Sequence, residues 1–316
     1  MRETLVGERY ALTAPIARGG MSIVYSAHDR VLDREVAIKF LIGDGGSDAC
    51  ERAEREMRLA GDAHHPALVD VLDAGFTTWM GAPVRYLVMQ RVAAPSLQQL
   101  LADGRPDTVL VAEIAAQIAD ALASLHLRGV LHLDVKPGNI LVESAPTLGF
   151  SRRVRLIDFG LAQRVDAAPR LPGSSIVATA AYMSPEHVAG RALTGASDVY
   201  SLGLVLLRCL TGHDEFPGTR AASAVARLAR DPEIPDGLPA GWSSVLSAMT
   251  IRTPASRPTA HDVAAEFVEL RPARARRDAN EDRRHHGTAA AAFTRLRSRM
   301  HLPHPASALA TAPLVS

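Results

Sequence analysis

Ten residues of this largely apolar chain concentrate its polar chemistry: HLDVKPGNIL, His132–Leu141. Asp134, Lys136 and Asn139 fall within six residues, flanked by aliphatics. A carboxylate accepts a hydroxyl proton, and an ammonium neutralises a phosphoryl oxygen. A carboxamide oxygen ligates a hard cation such as Mg²⁺. Pro137 and Gly138 break regular structure, so these groups hang from a loop between a helix and a strand. Nineteen residues after Asn139 comes LIDFG, where Asp158 follows an apolar strand and offers a second oxygen ligand. Upstream, IARGGMSIVY reads as a glycine turn between strands, with backbone N–H groups suited to lie over phosphates. VAIK then puts Lys39 on the next strand. Singly these signals are weak; their order and spacing are not.

The lysines carry a second signal. Of 35 basic residues, 33 are Arg and two are Lys, Lys39 and Lys136. A surface Lys is exchanged for Arg at almost no cost. A Lys used as a compact point charge is not, because a guanidinium is larger, planar and differently hydrated. Both lysines are therefore candidate chemical residues.

The elements that must position these groups change character along the chain. RYALTAPIA, SIVYSAHD, REVAIKFLI and VRYLVMQRV read as strands. DACERAEREMRLAGD reads as a helix with Ala53, Met57 and Ala60 on one face. From residue 108 helices dominate. TVLVAEIAAQIADALASLHLRG carries Leu110, Ile114, Ile118, Leu122 and Leu125 at helical spacing, and Gly129 closes it. Short strands follow around 140–142 and 154–157, then helices over 198–211, 219–230, 242–250 and 260–270. Strands first and helices after predict an α+β protein of two lobes.

Bulk composition sets limits. The 316 residues are 47% apolar but only 4% aromatic, so the core is mostly Ala, Leu and Val. A net charge of +1 gives no case for nucleic acid as partner. Cys50 and Cys209 are far apart and match no metal spacing, as expected of free thiols in a reducing compartment. The N-terminus has no apolar signal core. The longest apolar run, YSLGLVLLRCLTG, is interrupted by Arg208 and too short to span a bilayer. A soluble, cytoplasmic protein with no transmembrane segment is expected. Residues 271–316 hold nine Arg and three acidic residues, and the composition breaks at Arg271-Pro272.

In order, ARGGMSIV, VAIK, Glu56, HLDVKPGN, DFG, AYMSPE, SDVYSLG and TPASRP resemble the motifs of eukaryotic-type protein kinases, most closely the bacterial Ser/Thr kinases. The resemblance covers roughly residues 8–270. It implies a bilobal fold with a small, mainly β lobe with one helix (1–92), a larger, mainly α lobe (93–270) and a basic tail (271–316). It implies transfer of the γ-phosphate of Mg-ATP to protein Ser or Thr hydroxyls, with Mn²⁺ as an alternative cation, and autophosphorylation in signalling. Ile16, Ala17, Arg18, Gly19, Gly20, Met21, Ser22, Ile23 and Val24 would cover the phosphates. Lys39 would hold the α/β-phosphates and pair with Glu56. Asp134 would be the catalytic base, and Lys136 would steady the γ-phosphate. Asn139 and Asp158 would ligate the metal. Val24, Ala37 and Leu141 would sandwich adenine, with Met89 as gatekeeper and Gln90 to Val92 as hinge. The 29 residues from Asp158 to Glu186 match an activation loop, with Ser174, Ser175 and Thr179 as its hydroxyls nearest the peptide site. Glu186 would pair with Arg257.

Four positions depart from the family pattern. Ala17 and Ser22 stand where glycines are usual, which should cost ATP affinity without abolishing it. Ser184 replaces Ala. Leu133 replaces an Arg that elsewhere pairs with a phosphorylated loop residue, so one switch is lost while acid, ammonium and amide remain. Two other readings share the fold: a small-molecule phosphotransferase of the aminoglycoside-kinase type, and a pseudokinase scaffold. Lys136 and the SPE and SDVYSLG segments argue against the first; Lys39, Asp134, Asn139 and Asp158 together argue against the second. The tail reads as a basic linker, with TAAAAFTRLRSRM able to form a short basic helix that docks a partner, the kinase itself or an anionic surface.

Overall fold

The computed structural model describes residues 4–19, 22–42, 59, 64–147, 149–159, 161–165 and 179–271. Strands β1 (Leu5–Val6), β2 (Tyr10–Arg18), β3 (Ser22–Asp29), β4 (Arg34–Leu41), β5 (Val71–Trp79) and β6 (Ala82–Gln90) form one antiparallel sheet in the order β1-β2-β3-β4-β6-β5. The alternation of β4 decides what faces where. Val36, Ile38 and Phe40 join Val6, Tyr10, Ala27, Tyr86 and Val88 in the core of the smaller lobe. Phe40 stacks on Trp79 at 4.4 Å. Side chains two apart share a face, so Ala37 and Lys39 point the other way.

The larger lobe is built around a helix. After α1 (Leu97–Asp103) comes α2 (Thr108–Leu127), whose Ala- and Leu-rich surface is buried nearly all round. Asp107 caps its start, accepting from the Leu110 N–H at 2.8 Å. It ends at Leu127 with Arg128 as its cap, and Gly129 closes it as expected, taking φ +69°, a left-handed turn that a β-carbon resists. By length and composition α2 could cross a membrane; here it is packed inside the lobe. The remaining elements are β7 (Val130–Leu131), β8 (Ile140–Glu143), β9 (Arg153–Leu156), β10 (Gln163–Arg164), α3 (Pro185–Val188), α4 (Gly195–Thr211), α5 (Arg220–Ala229), α6 (Trp242–Thr250) and α7 (Ala260–Glu269). Helices α4 and α7 pack on α2.

Strand-rich first half and helical second half are as the sequence predicts. Of the elements beyond those the sequence predicts (β1, β5, β7, β10, α1 and α3), the two longest are β5 and α1. Strand β5 runs at the sheet edge with a register shift between Val71 and Asp73, so no clean alternation marks it. Helix α1 has seven residues, too few to display a period, though Ser96 and Gln99 form a capping box. Helix α4 starts at Gly195, three residues earlier than expected. Strand β6 ends at Gln90, so Arg91 and Val92 lie beyond it. Cys209 is fully buried, which pushes its thiol up to about 12. Arg271, at the composition break, is buried and donates to the Gly149 carbonyl at 2.8 Å.

Candidate active site

The loop from His132 to Asn139 leaves β7, closes in a 3-10 turn over Pro137–Asn139, and enters β8. Asp134 is 5% exposed and central. Lys136 Nζ donates to both its carboxylate oxygens, at 2.9 and 2.8 Å. Asn139 Nδ2 donates to the Asp134 carbonyl at 2.9 Å and to Oδ2 at 2.8 Å. With its nitrogen so committed, the Asn139 carboxamide presents its oxygen as the atom for a cation.

Asp158 reaches the same place by strand pairing. Ile140 stands opposite Leu156 in the β8–β9 pair, and the Ile157 N–H donates to the Asn139 carbonyl at 2.9 Å. Asn139 and Asp158 therefore leave the same end of that two-stranded sheet. Lys39 Nζ donates to Asp158 Oδ1 at 2.6 Å, which links β4 to the larger lobe. Glu56, the expected partner of Lys39, lies outside the described residues. One carboxylate and one carboxamide oxygen are hard donors and fit a cation of the Mg²⁺ kind.

The nucleotide-facing residues fall on adjacent strands. Val24 on β3 stands opposite Lys39, and Met89 on β6 opposite Ala37. Ala37 is buried; Val24, Met89, Gln90, Val92 and Leu141 are half-buried. Ile16, Ala17, Arg18 and Gly19 are exposed at the β2–β3 end, while Ser22 and Ile23 are half-buried. Gly19 N–H donates to the Ser22 carbonyl at 2.8 Å, and Ala17 still pairs with Val24, so β2 and β3 stay bonded beside both substitutions. Gly20 and Met21 lie outside the described residues.

The loop's backbone hangs from a residue the sequence reading did not single out. Asp198, in the first turn of α4, is fully buried. Its Oδ2 accepts from the His132 N–H at 2.9 Å and its Oδ1 from the Leu133 N–H at 2.7 Å. His126 Nε2 lies 2.8 Å from Oδ2. Burial pushes this carboxyl up, but its hydrogen bonds outweigh that and hold it below the usual range. Leu133 and Asp158 both take positive φ, +60° and +73°. Non-glycine residues pay for that conformation unless neighbours hold it, and Asp198 supplies the hold at Leu133. Gly195 makes room, since a β-carbon there would come 2.6 Å from the His126 ring. The visible signal was an acidic residue heading an apolar helix in SDVYSLG.

His132 is fully buried, its ring 5.4 Å from that of Phe159, and burial lowers its pKa, keeping it neutral. Leu133 packs with Leu131, Leu193 and Leu161. Ser184 caps α3, accepting from the His187 N–H at 3.3 Å. Glu186 and Arg257 form a bidentate pair at 2.8 and 3.0 Å, both groups buried. Ser197 Oγ adds a bond to Glu186 at 2.7 Å. Burial raises the Glu186 carboxyl, and the Arg257 bonds bring it below the ordinary value. Thr179 heads a 3-10 turn, Thr179–Tyr182; Ser174 and Ser175 lie outside the described residues.

The protein kinase domain family matches residues 10–267. Serine/threonine-protein kinase PknA of Mycobacterium tuberculosis is 36% identical over 282 residues, covering 86% of this chain and 64% of the relative. PknB of Mycobacterium leprae is 33% identical over 275 residues, covering 84% of the chain and 43% of the relative. A probable serine/threonine-protein kinase of Corynebacterium efficiens is 36% identical over 219 residues, covering 68% and 32%. The chain thus spans between about a third and two-thirds of these relatives' lengths. A match along most of the chain, with the site assembled on the strands and loops its motifs predict, makes this chain a member of the protein kinase domain family.

Proposed function

We propose that this chain transfers the γ-phosphate of ATP to Ser or Thr hydroxyls of a protein. The observation that supports it best is that both lysines of the chain pair with a carboxylate of the candidate site, Lys39 with Asp158 and Lys136 with Asp134. Asp134 orients the acceptor hydroxyl and takes its proton as the phosphoryl group leaves ATP. Lys136 moves from Asp134 to the γ-phosphate oxygens and neutralises charge there. Lys39, on a buried strand, holds the α/β-phosphates. Asn139 and Asp158 would hold Mg²⁺, with Mn²⁺ as an alternative. The metal, when bound, neutralises phosphate oxygens during transfer. Catalysis is thus positioning and electrostatics. We assign the reaction to the cytoplasm, where ATP is. Residues 272–316 lie outside the described residues, and docking of this basic segment to a partner or anionic surface is part of the same proposal.

We also propose that activity depends little on loop phosphorylation. Leu133 supports this, as it meets Leu131, Leu161 and Leu193 in place of a phosphate-binding charge. The experiment is transfer from labelled ATP with Mg²⁺ onto the protein itself and onto myelin basic protein. Wild type should label both, and Asp134→Asn should lose about 10²–10⁴-fold in kcat. Phosphatase treatment, or Ser174, Ser175 and Thr179 to Ala, should leave most activity. Folded wild type that binds ATP but transfers nothing would make the chain a scaffold.

A further inference from the structure

Arg155 stands opposite Leu141 in the β8–β9 pair and is 8% exposed. Residues paired across antiparallel strands share a face. Its side chain therefore leaves the sheet beside the residue assigned to the adenine site. Nε donates to Glu143 Oε1 at 2.8 Å. Nη1 donates to the Leu68 carbonyl at 3.3 Å and to Gln90 Oε1 at 3.1 Å. Glu143 belongs to the larger lobe, whereas Leu68 and Gln90 lead into and end strands of the smaller one.

Backbone bonds surround this group. Val69 N–H donates to the Leu156 carbonyl at 3.2 Å, Leu156 N–H to the Ala67 carbonyl at 2.8 Å, and Gln90 N–H to the Asp70 carbonyl at 2.9 Å. The same strand, β9, runs on to Asp158 two residues past its end. One planar guanidinium thus ties the hinge residue, the segment before β5 and the metal-ligand strand to β8. A fork of fixed donors can hold an amide oxygen, a carbonyl and a carboxylate at once; an ammonium on a longer stem cannot hold all three in that geometry.

We propose that Arg155 is a positioning residue for the nucleotide. It holds Gln90 against β9, and so sets the register of the hinge backbone relative to Leu141 below and Asp158 beyond. It touches neither phosphate nor acceptor. Its loss weakens nucleotide binding and leaves the transfer step alone. The inference rests on the nucleotide site proposed above, so binding is read separately from transfer.

The test uses the full chain: calorimetric affinity for ADP with Mg²⁺, and KM for ATP and for the acceptor protein, in wild type, Arg155→Met, Arg155→Lys, Gln90→Ala and the Arg155→Met/Gln90→Ala double variant. Arg155→Met should weaken ADP about tenfold, and Arg155→Lys should restore part of that loss. Gln90→Ala breaks the link from the other side with Arg155–Glu143 intact, and keeps the test alive if Arg155→Met fails to fold. It should weaken ADP about fivefold, with KM for ATP rising in step and KM for the acceptor fixed. The double variant should be no weaker than Arg155→Met. Unchanged ADP affinity in Gln90→Ala, or losses that multiply in the double variant, overturns the inference. Wild type that binds ADP but transfers nothing overturns the transfer reading alone. Wild type that binds no nucleotide overturns both.

Discussion

The two lysines sit in differently built neighbourhoods. Lys39 lies in the middle of β4, between β3 and β6, where ladder bonds on both sides fix the backbone. Lys136 lies on a loop with a two-residue strand before it and a single 3-10 turn after it. What fixes that loop is side-chain chemistry, chiefly the Asp198 carboxylate holding two consecutive N–H groups. A ladder is redundant, so one poor residue leaves the others in place. A carboxylate anchor is not, and its loss frees the whole loop. The smaller lobe should therefore tolerate changes near its site, where β2 and β3 stay paired around Ala17, while the larger lobe should fail at single positions far from substrate.

Asp198→Asn tests the sharp side of this contrast. An amide places an N–H₂ group against one of the two backbone donors. We expect kcat to fall about 100-fold, with KM for ATP nearly unchanged, in steady-state assays. A second carboxylate anchor, Glu186, should show its loss in stability. Glu186→Ala leaves Arg257 buried with its carboxylate partner gone, and denaturant unfolding should report a loss of about 3–5 kcal/mol. Glu186→Ala with Arg257→Met should recover part of it. Equal stability of Glu186→Ala and wild type would mean that the pair holds nothing.

His132 gives a pH signature to the same loop. Its folded pKa lies below the ordinary 6.5, because burial penalises the charged ring. The folded state thus binds this proton less readily than the unfolded chain. Its contribution is complete above pH 6.5 and is lost as pH falls below that value. His132→Phe should flatten the stability slope between pH 6.5 and 5 by up to about 1.4 kcal/mol per pH unit relative to wild type. Identical slopes would place the acid sensitivity elsewhere. The smallest effect belongs to the tolerant side. Ala17→Gly and Ser22→Gly should change KM for ATP about threefold or less, since the β2–β3 pairing and the Gly19–Ser22 bond already exist.

Much of this site was legible because its residues are of rare type in fixed order. Two lysines among 35 basic residues, and Asp134, Asn139 and Asp158 at set spacing, need no knowledge of the fold to be noticed. The Glu186–Arg257 pair followed from the motifs on either side of it. Asp198 was not legible, since nothing local shows that a carboxylate in an apolar helix meets two N–H groups 65 and 66 residues away. Arg155 was hidden for a related reason. It is one arginine among 33, and only the pairing of β8 with β9 puts it beside the hinge. Strand β5 escaped because an edge strand with a bulge keeps too little alternation to be read.

The central claim is that Lys39 and Lys136 survive as lysines because an ammonium is required at both places. The direct measurement is kcat/KM for phosphate transfer by Lys39→Arg and Lys136→Arg, alongside their thermal unfolding. Each variant keeps the charge, and every other Lys or Arg position of this sequence is already arginine. Both variants should unfold normally and lose about 100-fold or more in kcat/KM. Either variant working within about threefold of wild type would contradict it, and the lysines would then be an accident of composition.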